Sequence, residues 1–153
     1  MITLSEKEKY IINDLKAQEE LCIQKYEFYE NMAYDPELKQ LFKDIRKKEQ
    51  EHLNSLNSVL NGEVPMSDVN DYSAQKYKTN SNYHQNSSQE EKDHDSFLAT
   101  DAIAMEKYVS GAYNFDLFQF GNNKLRRLLS DIEVEEQNHA EMLYKYKVAN
   151  AMA

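Results

Sequence analysis

The sequence contains few residues that break helices or cross-link a chain. Its 153 residues include three glycines, two prolines, one cysteine and no tryptophan. With so few turn-forming residues, and with Glu, Lys, Leu and Gln abundant, we predict an all-α protein rather than a β-sheet protein. A lone cysteine, Cys22, excludes an internal disulfide, and we interpret it as a small core residue. The length favours one domain, 1–153.

The chain also lacks a basic face and a long apolar segment. Its formal net charge is -9, which argues against nucleic acid or an anionic membrane as a partner. No stretch approaches the roughly 18 apolar residues of a membrane span. The N-terminal sequence MITLSEKEKY has no apolar signal-peptide region. We therefore expect synthesis in the cytoplasm without a signal peptide.

Apolar residues recur at helical spacing in four segments. Ser5 and Glu8 form a predicted capping box before the first segment, and Asp35-Pro36 marks the start of the second. The predicted helices cover about residues 4–33, 36–61, 96–120 and 123–150. Consecutive helices would form two hairpins, 4–61 and 96–150, which together suit a four-helix bundle.

Residues 62–95 separate the hairpins and are polar and poor in aliphatic side chains. A tight hairpin needs only a few connecting residues, whereas a return along a bundle of about 40 Å needs a dozen or more. We therefore predict a long crossover that leaves the second and third helices parallel. Tyr72, Tyr77 and Tyr83 would hold it against the bundle; the alternative is a disordered segment.

The sequence repeats itself at a distance of 87 residues. Residues 14–52 align with 101–139 without a gap, and 12 of the 39 positions are identical. The motifs Glu49-Gln-Glu-His52 and Glu136-Gln-Asn-His139 occupy equivalent positions, as do the single glutamates Glu19 and Glu106. A third Glu-x-x-His, at residues 91–94, lies in the polar segment outside this repeat, and we interpret it as coincidence.

The repeated polar residues interrupt the apolar stripe of each helix near its midpoint, so they should meet inside the bundle. Four buried carboxylates repel one another and lose hydration, whereas two divalent cations would balance their charge, and imidazoles would complete the ligand shells. The predicted metal ligands are Glu19, Glu49, His52, Glu106, Glu136 and His139. The alternative is a metal-free cluster satisfied by shared protons, water and tyrosine hydroxyls.

Other residues near this predicted site have less definite roles. The single glutamates could each terminate or bridge the metals, and Tyr26 and Tyr113 could donate hydrogen bonds to ligand carboxylates or serve as plain core aromatics. Asp44 and Asp131 are repeated but remain unassigned. Carboxylate and imidazole ligands favour iron or manganese, with zinc as a further candidate.

Three segments of the first half carry a family resemblance. Glu19-x6-Tyr26, Asp35-Pro-Glu-Leu-Lys-Gln-Leu-Phe42 and Ile45-x3-Glu49-Gln-x-His52 resemble the repeated unit of the spore coat protein F family of endospore-forming bacteria, within the ferritin-like superfamily. The second half is similar, and the crossover is excluded. The resemblance implies a ferritin-like bundle that is assembled into the endospore coat with other coat proteins, where metals stabilise the bundle or remain from an ancestral site.

An alternative function is a dimetal oxidoreductase, such as a ferroxidase, a peroxidase or a manganese-catalase-like enzyme, that handles O2 or peroxide. The sequence leaves catalysis open, although it lacks the Cys-x-x-Cys pair of a rubredoxin domain. Phe115 and Phe118 form an apolar row beside the core row of their helix, which either the crossover or another subunit must cover. We expect a homodimer.

Overall fold

A computed structural model describes residues 1–68 and 70–153; Val69, within the predicted crossover, lies outside the described residues. The described chain contains helices and no strand, which confirms the all-α prediction. A short 3-10 turn, Leu117–Gln119, follows the fourth helix. The α-helices are Glu6–Met32 (α1), Pro36–Leu60 (α2), Ser73–Lys76 (α3), Gln89–Asp116 (α4) and Asn123–Ala149 (α5).

The first two helices begin where the capping residues predict. Ser5 and Glu8 form the reciprocal capping box of α1, with distances of 2.8 and 3.2 Å between backbone nitrogens and side-chain oxygens. Asp35 accepts a hydrogen bond from the Glu37 backbone and caps α2. Gly62 follows α2 with a φ of 88°, a left-handed conformation that favours glycine.

The third long helix begins earlier than predicted. Ser88 accepts a hydrogen bond from the backbone of Glu91 at 3.3 Å, so α4 starts at Gln89 instead of about 96. Its first turns are polar and have no apolar stripe to reveal them. They are anchored instead by buried Asp95, which accepts hydrogen bonds from two backbone N–H groups before α2. At its other end the α-helix stops at Asp116, and the 3-10 turn replaces the predicted final turn.

Contacts at the helix ends define their directions. His94, in the second turn of α4, lies 3.0 Å from the carbonyl oxygen of Met32 at the end of α1, so these two helices are antiparallel. Tyr146, near the end of α5, donates a hydrogen bond of 2.7 Å to Asp35 at the start of α2, so this pair is antiparallel too. Because each hairpin is also antiparallel, α2 and α4 run parallel, as the crossover predicts.

The crossover packs along α2 and α5. Ala74 is fully buried, and its carbonyl oxygen accepts a hydrogen bond from Lys145. Of the three tyrosines predicted to hold this segment, Tyr83 donates a hydrogen bond of 2.6 Å to Asp95, and Tyr77 packs against the core. Tyr72 is 58% exposed. The described part of the crossover is therefore attached to the bundle by specific contacts.

The apolar core forms two clusters, one toward each end of the bundle. All four long helices contribute side chains to both clusters, and the largest buried ones include Tyr26, Phe42, Tyr113 and Tyr146. Between the clusters lies a layer of polar side chains. In the described part of the chain, no helix has the length and apolar character needed to cross a membrane.

Candidate metal centre

Six polar side chains meet between the two core clusters, and none is more than 3% exposed. They are Glu19 from α1, Glu49 and His52 from α2, Glu106 from α4, and Glu136 and His139 from α5. The bundle therefore brings together all six residues that the repeat singled out. Their positions follow from local structure, because each replaces an apolar residue in the inward stripe of its helix.

The six side chains form two overlapping groups of ligand atoms. In each group, three carboxylates and one imidazole offer atoms that lie within 4.8 Å of one another. Glu49 and Glu136 belong to both groups, whereas Glu19 accompanies His52 alone and Glu106 accompanies the other histidine. The glutamate of each Glu-x-x-His motif is thus the carboxylate that both groups share, a distinction that the sequence had left open.

Each imidazole faces more carboxylate oxygens than it can satisfy. Nδ1 of His52 lies 2.9 Å from Glu136, 3.1 Å from Glu49 and 3.6 Å from Glu19. Nδ1 of His139 is also surrounded by three carboxylate oxygens, at 3.1, 3.4 and 3.8 Å. Since one Nδ1 atom carries at most one proton, most of these oxygens converge without a hydrogen to share.

Several side-chain oxygens of the four glutamates are buried without any hydrogen-bond partner among the described residues. They are Oε2 of Glu19, Oε2 of Glu106 and both side-chain oxygens of Glu136. Oε1 of Glu136 lies within ion-pair distance of Nδ1 of His52, but the two atoms do not form a hydrogen bond. Unpaired buried carboxylate oxygens are costly, and oxygen with imidazole nitrogen is a donor set that suits iron, manganese or zinc. The residues present therefore fit two divalent cations.

Burial and mutual repulsion change the pKa values in this cluster. Burial, together with the charge of Glu49, raises the pKa of Glu19 to about 8. Burial and the charges of the other three glutamates raise the pKa of Glu136 well above its ordinary value. Burial also acts to raise the pKa of Glu49, but hydrogen bonds from both histidines hold it well below the usual range. Without cations, the cluster therefore retains protons that bound metal would displace.

Two tyrosines connect the hairpins at this level. The hydroxyl of Tyr113 donates a hydrogen bond of 2.5 Å to Oε1 of Glu19, and the hydroxyl of Tyr26 donates one to Oε1 of Glu106. Burial raises the pKa of both phenols, so they remain protonated donors. Each tyrosine holds one carboxylate oxygen and leaves the other, Oε2, without a hydrogen bond.

Glu135 is a site residue that the sequence analysis missed. Its carboxylate contacts Nε2 of His52, on the side of the ring that points away from the cluster, and its side chain is 14% exposed. Lys48 lies 3.8 Å from the same carboxylate. The signal was present in the repeat: positions 48 and 135 are equivalent, since 135 − 48 = 87, yet they carry opposite charges.

The remaining polar residues of interest lie outside the two groups. Asp44 is exposed and accepts a hydrogen bond from Gln40 at 2.8 Å, whereas Asp131 is buried. Glu91 and His94, the third Glu-x-x-His, lie in the first two turns of α4, where the imidazole contacts the end of α1. Cys22 is 2% exposed, and burial together with the glutamate charges raises the pKa of its thiol.

Comparison with protein families yields one match. Residues 94–152 match the Coat F domain, a range that covers most of α4 and all of α5 and includes Glu106, Glu136 and His139. No curated protein and no solved structure matches the chain. The C-terminal hairpin is thus similar to the Coat F domain, which supports the resemblance to the spore coat protein F family that the sequence predicts.

Proposed function

We propose that this spore-coat-type protein binds two divalent metal ions at the centre of a ferritin-like four-helix bundle. The observation that carries the proposal is the pair of ligand groups that share Glu49 and Glu136. Two cations of charge +2 would balance four ionised glutamates, and each would have one imidazole nitrogen. Iron or manganese suits this donor set best, and zinc is a further candidate.

The ligands divide their roles by position. Glu49 and Glu136 would bridge the two ions, while Glu19 and Glu106 would each bind one ion by the oxygen that their tyrosine partners leave free. Each group takes ligands from three helices, and these belong to both hairpins. The ions would therefore join the hairpins, and their binding free energy would add to the stability of the fold.

The assignment to the ferritin-like superfamily rests on ligand pattern and topology together. Glu from two helices plus Glu-x-x-His from the other two is the ligand set of ferritin-like dimetal carboxylate bundles. The parallel α2 and α4, joined by one long crossover, are also characteristic of that architecture. Two short-loop hairpins arranged up and down in sequence would not need such a crossover.

Metal analysis of the purified protein tests the proposal. Protein prepared without added metal, and then reconstituted with Fe(II) or Mn(II), should contain about two equivalents per chain, with anomalous scattering at the corresponding edge. Glu49→Gln should lose most of this metal, because the residue belongs to both groups. Glu141→Gln, a change of the same charge on a half-exposed side chain of α5, should retain it. Less than half an equivalent after reconstitution would instead support the proton-sharing cluster.

A second candidate function is a dimetal oxidoreductase that acts on O2 or peroxide, and an apolar groove favours it. The groove, of about 200 Å³, lies between α1 and α4 and is lined by Leu21, Cys22, Met105 and Tyr108, among others. Cys22 at its base is one helical turn from Glu19. Bound iron or manganese ions would supply the electrons. The chain would supply ligands and a buried site that limits the access of water.

Turnover separates the two functions. Metal-loaded protein should oxidise Fe(II) or consume peroxide if the oxidoreductase function is right, and Glu49→Gln should abolish that activity. A loaded protein that is stabilised by metal but shows no turnover above free metal would support the structural role in the coat.

We also propose that the protein forms a homodimer through the outer surface of α1 and α4, in addition to contacts with other coat proteins. Phe115 and Phe118 on this surface are 71% and 75% exposed, because the crossover packs on the opposite pair of helices. Further exposed side chains recur there at the repeat distance. The pairs are Tyr10 and Phe97, Leu21 and Tyr108, and Phe28 and Phe115.

The two antiparallel helices thus present similar apolar rows in opposite directions, which suits a two-fold contact with a second copy. Light scattering of the wild-type protein should show a dimer, and the double change Phe28→Glu and Phe115→Glu should give a monomer. Tyr144→Glu, at an exposed aromatic of α5, should remain dimeric. A wild-type protein that is monomeric at all concentrations would reject the proposal.

A further inference from the structure

We infer that the two metal positions are inequivalent: Glu135 orients His52 for a tight position that fills first, whereas Lys48 leaves the His139 position without an equivalent support. This inference rests on the proposed function, because it concerns the order and affinity of metal binding at that site. The observations that carry it are the surroundings of the two imidazoles and a reversal of charge between equivalent positions of the repeat.

The His52 ring is held from both sides. Its Nδ1 atom faces the carboxylates of the cluster, and its Nε2–H donates to the carboxylate of Glu135 on α5. A carboxylate that accepts the distal N–H fixes the tautomer and orientation of a ligand imidazole and makes its other nitrogen a better donor. A cation would displace the proton that Nδ1 of His52 shares with Glu49, and Glu135 would hold the ring so that it need not reorient.

The His139 ring lacks this support. Every contact of 4 Å or less between His139 and a carboxylate, within the described residues, is made by Nδ1. The position that the repeat makes equivalent to Glu135 is Lys48, whose ammonium group can donate but not accept a hydrogen bond. The distal nitrogen of this imidazole therefore has no carboxylate to fix it.

Lys48 also increases the difference between the two metal positions through its contact with Glu135. Its Nζ atom lies 2.7 Å from Glu51 and 3.8 Å from Glu135, so it connects an exposed carboxylate with the one that holds His52. At one half-site, the charge of Lys48 attracts the Glu135 carboxylate that contacts His52. The same residue occupies the place of the missing acceptor at the other half-site. Glu135 and Lys48 therefore have opposite effects on the two metal positions: together they support His52, and Lys48 leaves His139 without an acceptor.

Stepwise metal titration of the apoprotein tests the inference. Isothermal titration with Co(II) or Mn(II) should resolve two steps for the wild-type protein, with affinities that differ by about 10-fold or more. Glu135→Gln should weaken the first step by about 10-fold and leave the second unchanged. Glu141→Gln, which removes a charge elsewhere on α5, should leave both steps unchanged.

Variants of the histidines assign the steps. His139→Ala should retain the tighter step, whereas His52→Ala should remove it. If instead His52→Ala retains the tighter step, the order of filling is the reverse of the one inferred and the inference is wrong. Far-UV circular dichroism confirms that each apoprotein remains helical.

Lys48→Glu provides a test by gain of affinity, which a damaged fold cannot imitate. The substitution places a carboxylate at the α2 position equivalent to Glu135, where it can accept the distal N–H of His139. The weaker step should then tighten, and the two affinities should converge. The inference alone would be overturned by three results together: the wild-type protein binds two equivalents of metal, Glu135→Gln binds metal as tightly as Glu141→Gln, and Lys48→Glu leaves the weaker step unchanged. A wild-type protein that binds no metal would overturn the proposed function and this inference together.

Discussion

Substitution of Glu136 by glutamine should separate the cost of the buried cluster from the stabilisation that metals provide. Glu136 is fully buried, and neither of its side-chain oxygens has a hydrogen-bond partner among the described residues. Burial and the neighbouring glutamates raise its pKa well above the ordinary value, which favours the protonated, neutral carboxyl in the metal-free protein. Glutamine has nearly the same shape and is also neutral. We therefore expect the metal-free variant to be as stable as the wild-type protein.

The difference should appear when metal is added. A ligand present at 100 times its dissociation constant stabilises the folded state by about 2.7 kcal/mol, so two independent ions would contribute about 5 kcal/mol. For a chain of this length each kcal/mol raises Tm by about 2–4 °C, which predicts a metal-dependent increase of about 10–20 °C. Glu136→Gln should lose most of this increase, because both ligand groups contain Glu136.

Thermal unfolding followed by calorimetry, in EDTA and in excess Mn(II) or Co(II), measures both quantities. Glu141→Gln serves as the control and should keep the full metal-dependent increase, since its side chain is half exposed and lies outside both groups. Two results would refute the reasoning. The first is a variant that retains the full increase. The second is a variant that is already several kcal/mol less stable in EDTA, because that loss would show that protein groups alone satisfy an ionised Glu136.

Three further substitutions test the surroundings of the site. Burial, with a neighbouring glutamate, raises the pKa of Asp131 to about 6, so its ionisation opposes folding. The penalty is absent below the unfolded pKa of about 3.8, grows between that value and about 6, and is constant at higher pH. Asp131→Asn should therefore increase the free energy of unfolding in urea by about 1 kcal/mol at pH 7, after allowance for solvent screening, and by less at pH 4; an equal gain at both would contradict this. Asp95→Ala removes the acceptor of three hydrogen bonds and should lower the free energy of unfolding by about 3 kcal/mol in the same assay. A decrease of less than about 1 kcal/mol would show that water replaces these hydrogen bonds. Tyr113→Phe removes the hydroxyl that donates to Glu19. It should weaken metal binding by about 10-fold in calorimetric titration while the apoprotein stays folded. Unchanged affinity would show that the tyrosine serves only as a core aromatic.

The fold was largely predictable because its helices have strong local signals. The capping box at Ser5 and the Asp35-Pro36 pair place two helix starts correctly to within a few residues. The start of α4 was not predictable in the same way. Its first turns are stabilised by contacts distant in sequence, chiefly those of Asp95 with the backbone before α2. Apolar periodicity does not indicate a helix start that is anchored by a buried carboxylate.

The candidate site was predictable to the extent that the two halves are identical. The repeat indicates Glu49 and Glu136 because both copies retain them, but it cannot indicate which carboxylates are shared between groups, since that depends on distances across the bundle. Glu135 was missed for the opposite reason. It differs from its counterpart Lys48, and a comparison that looks for identity ignores the positions where the halves have diverged.

The arrangement of the core suggests why the site lies at mid-height. The apolar clusters toward the two ends of the bundle each draw on all four long helices, so apolar contacts already join the hairpins there. At the level between them, the hairpins meet through carboxylates and imidazoles, which in the absence of cations must retain protons to limit repulsion. Glu49 and Glu136 come from different hairpins and belong to both ligand groups. Cations bound between them would therefore join the hairpins at the level where the apolar core is interrupted.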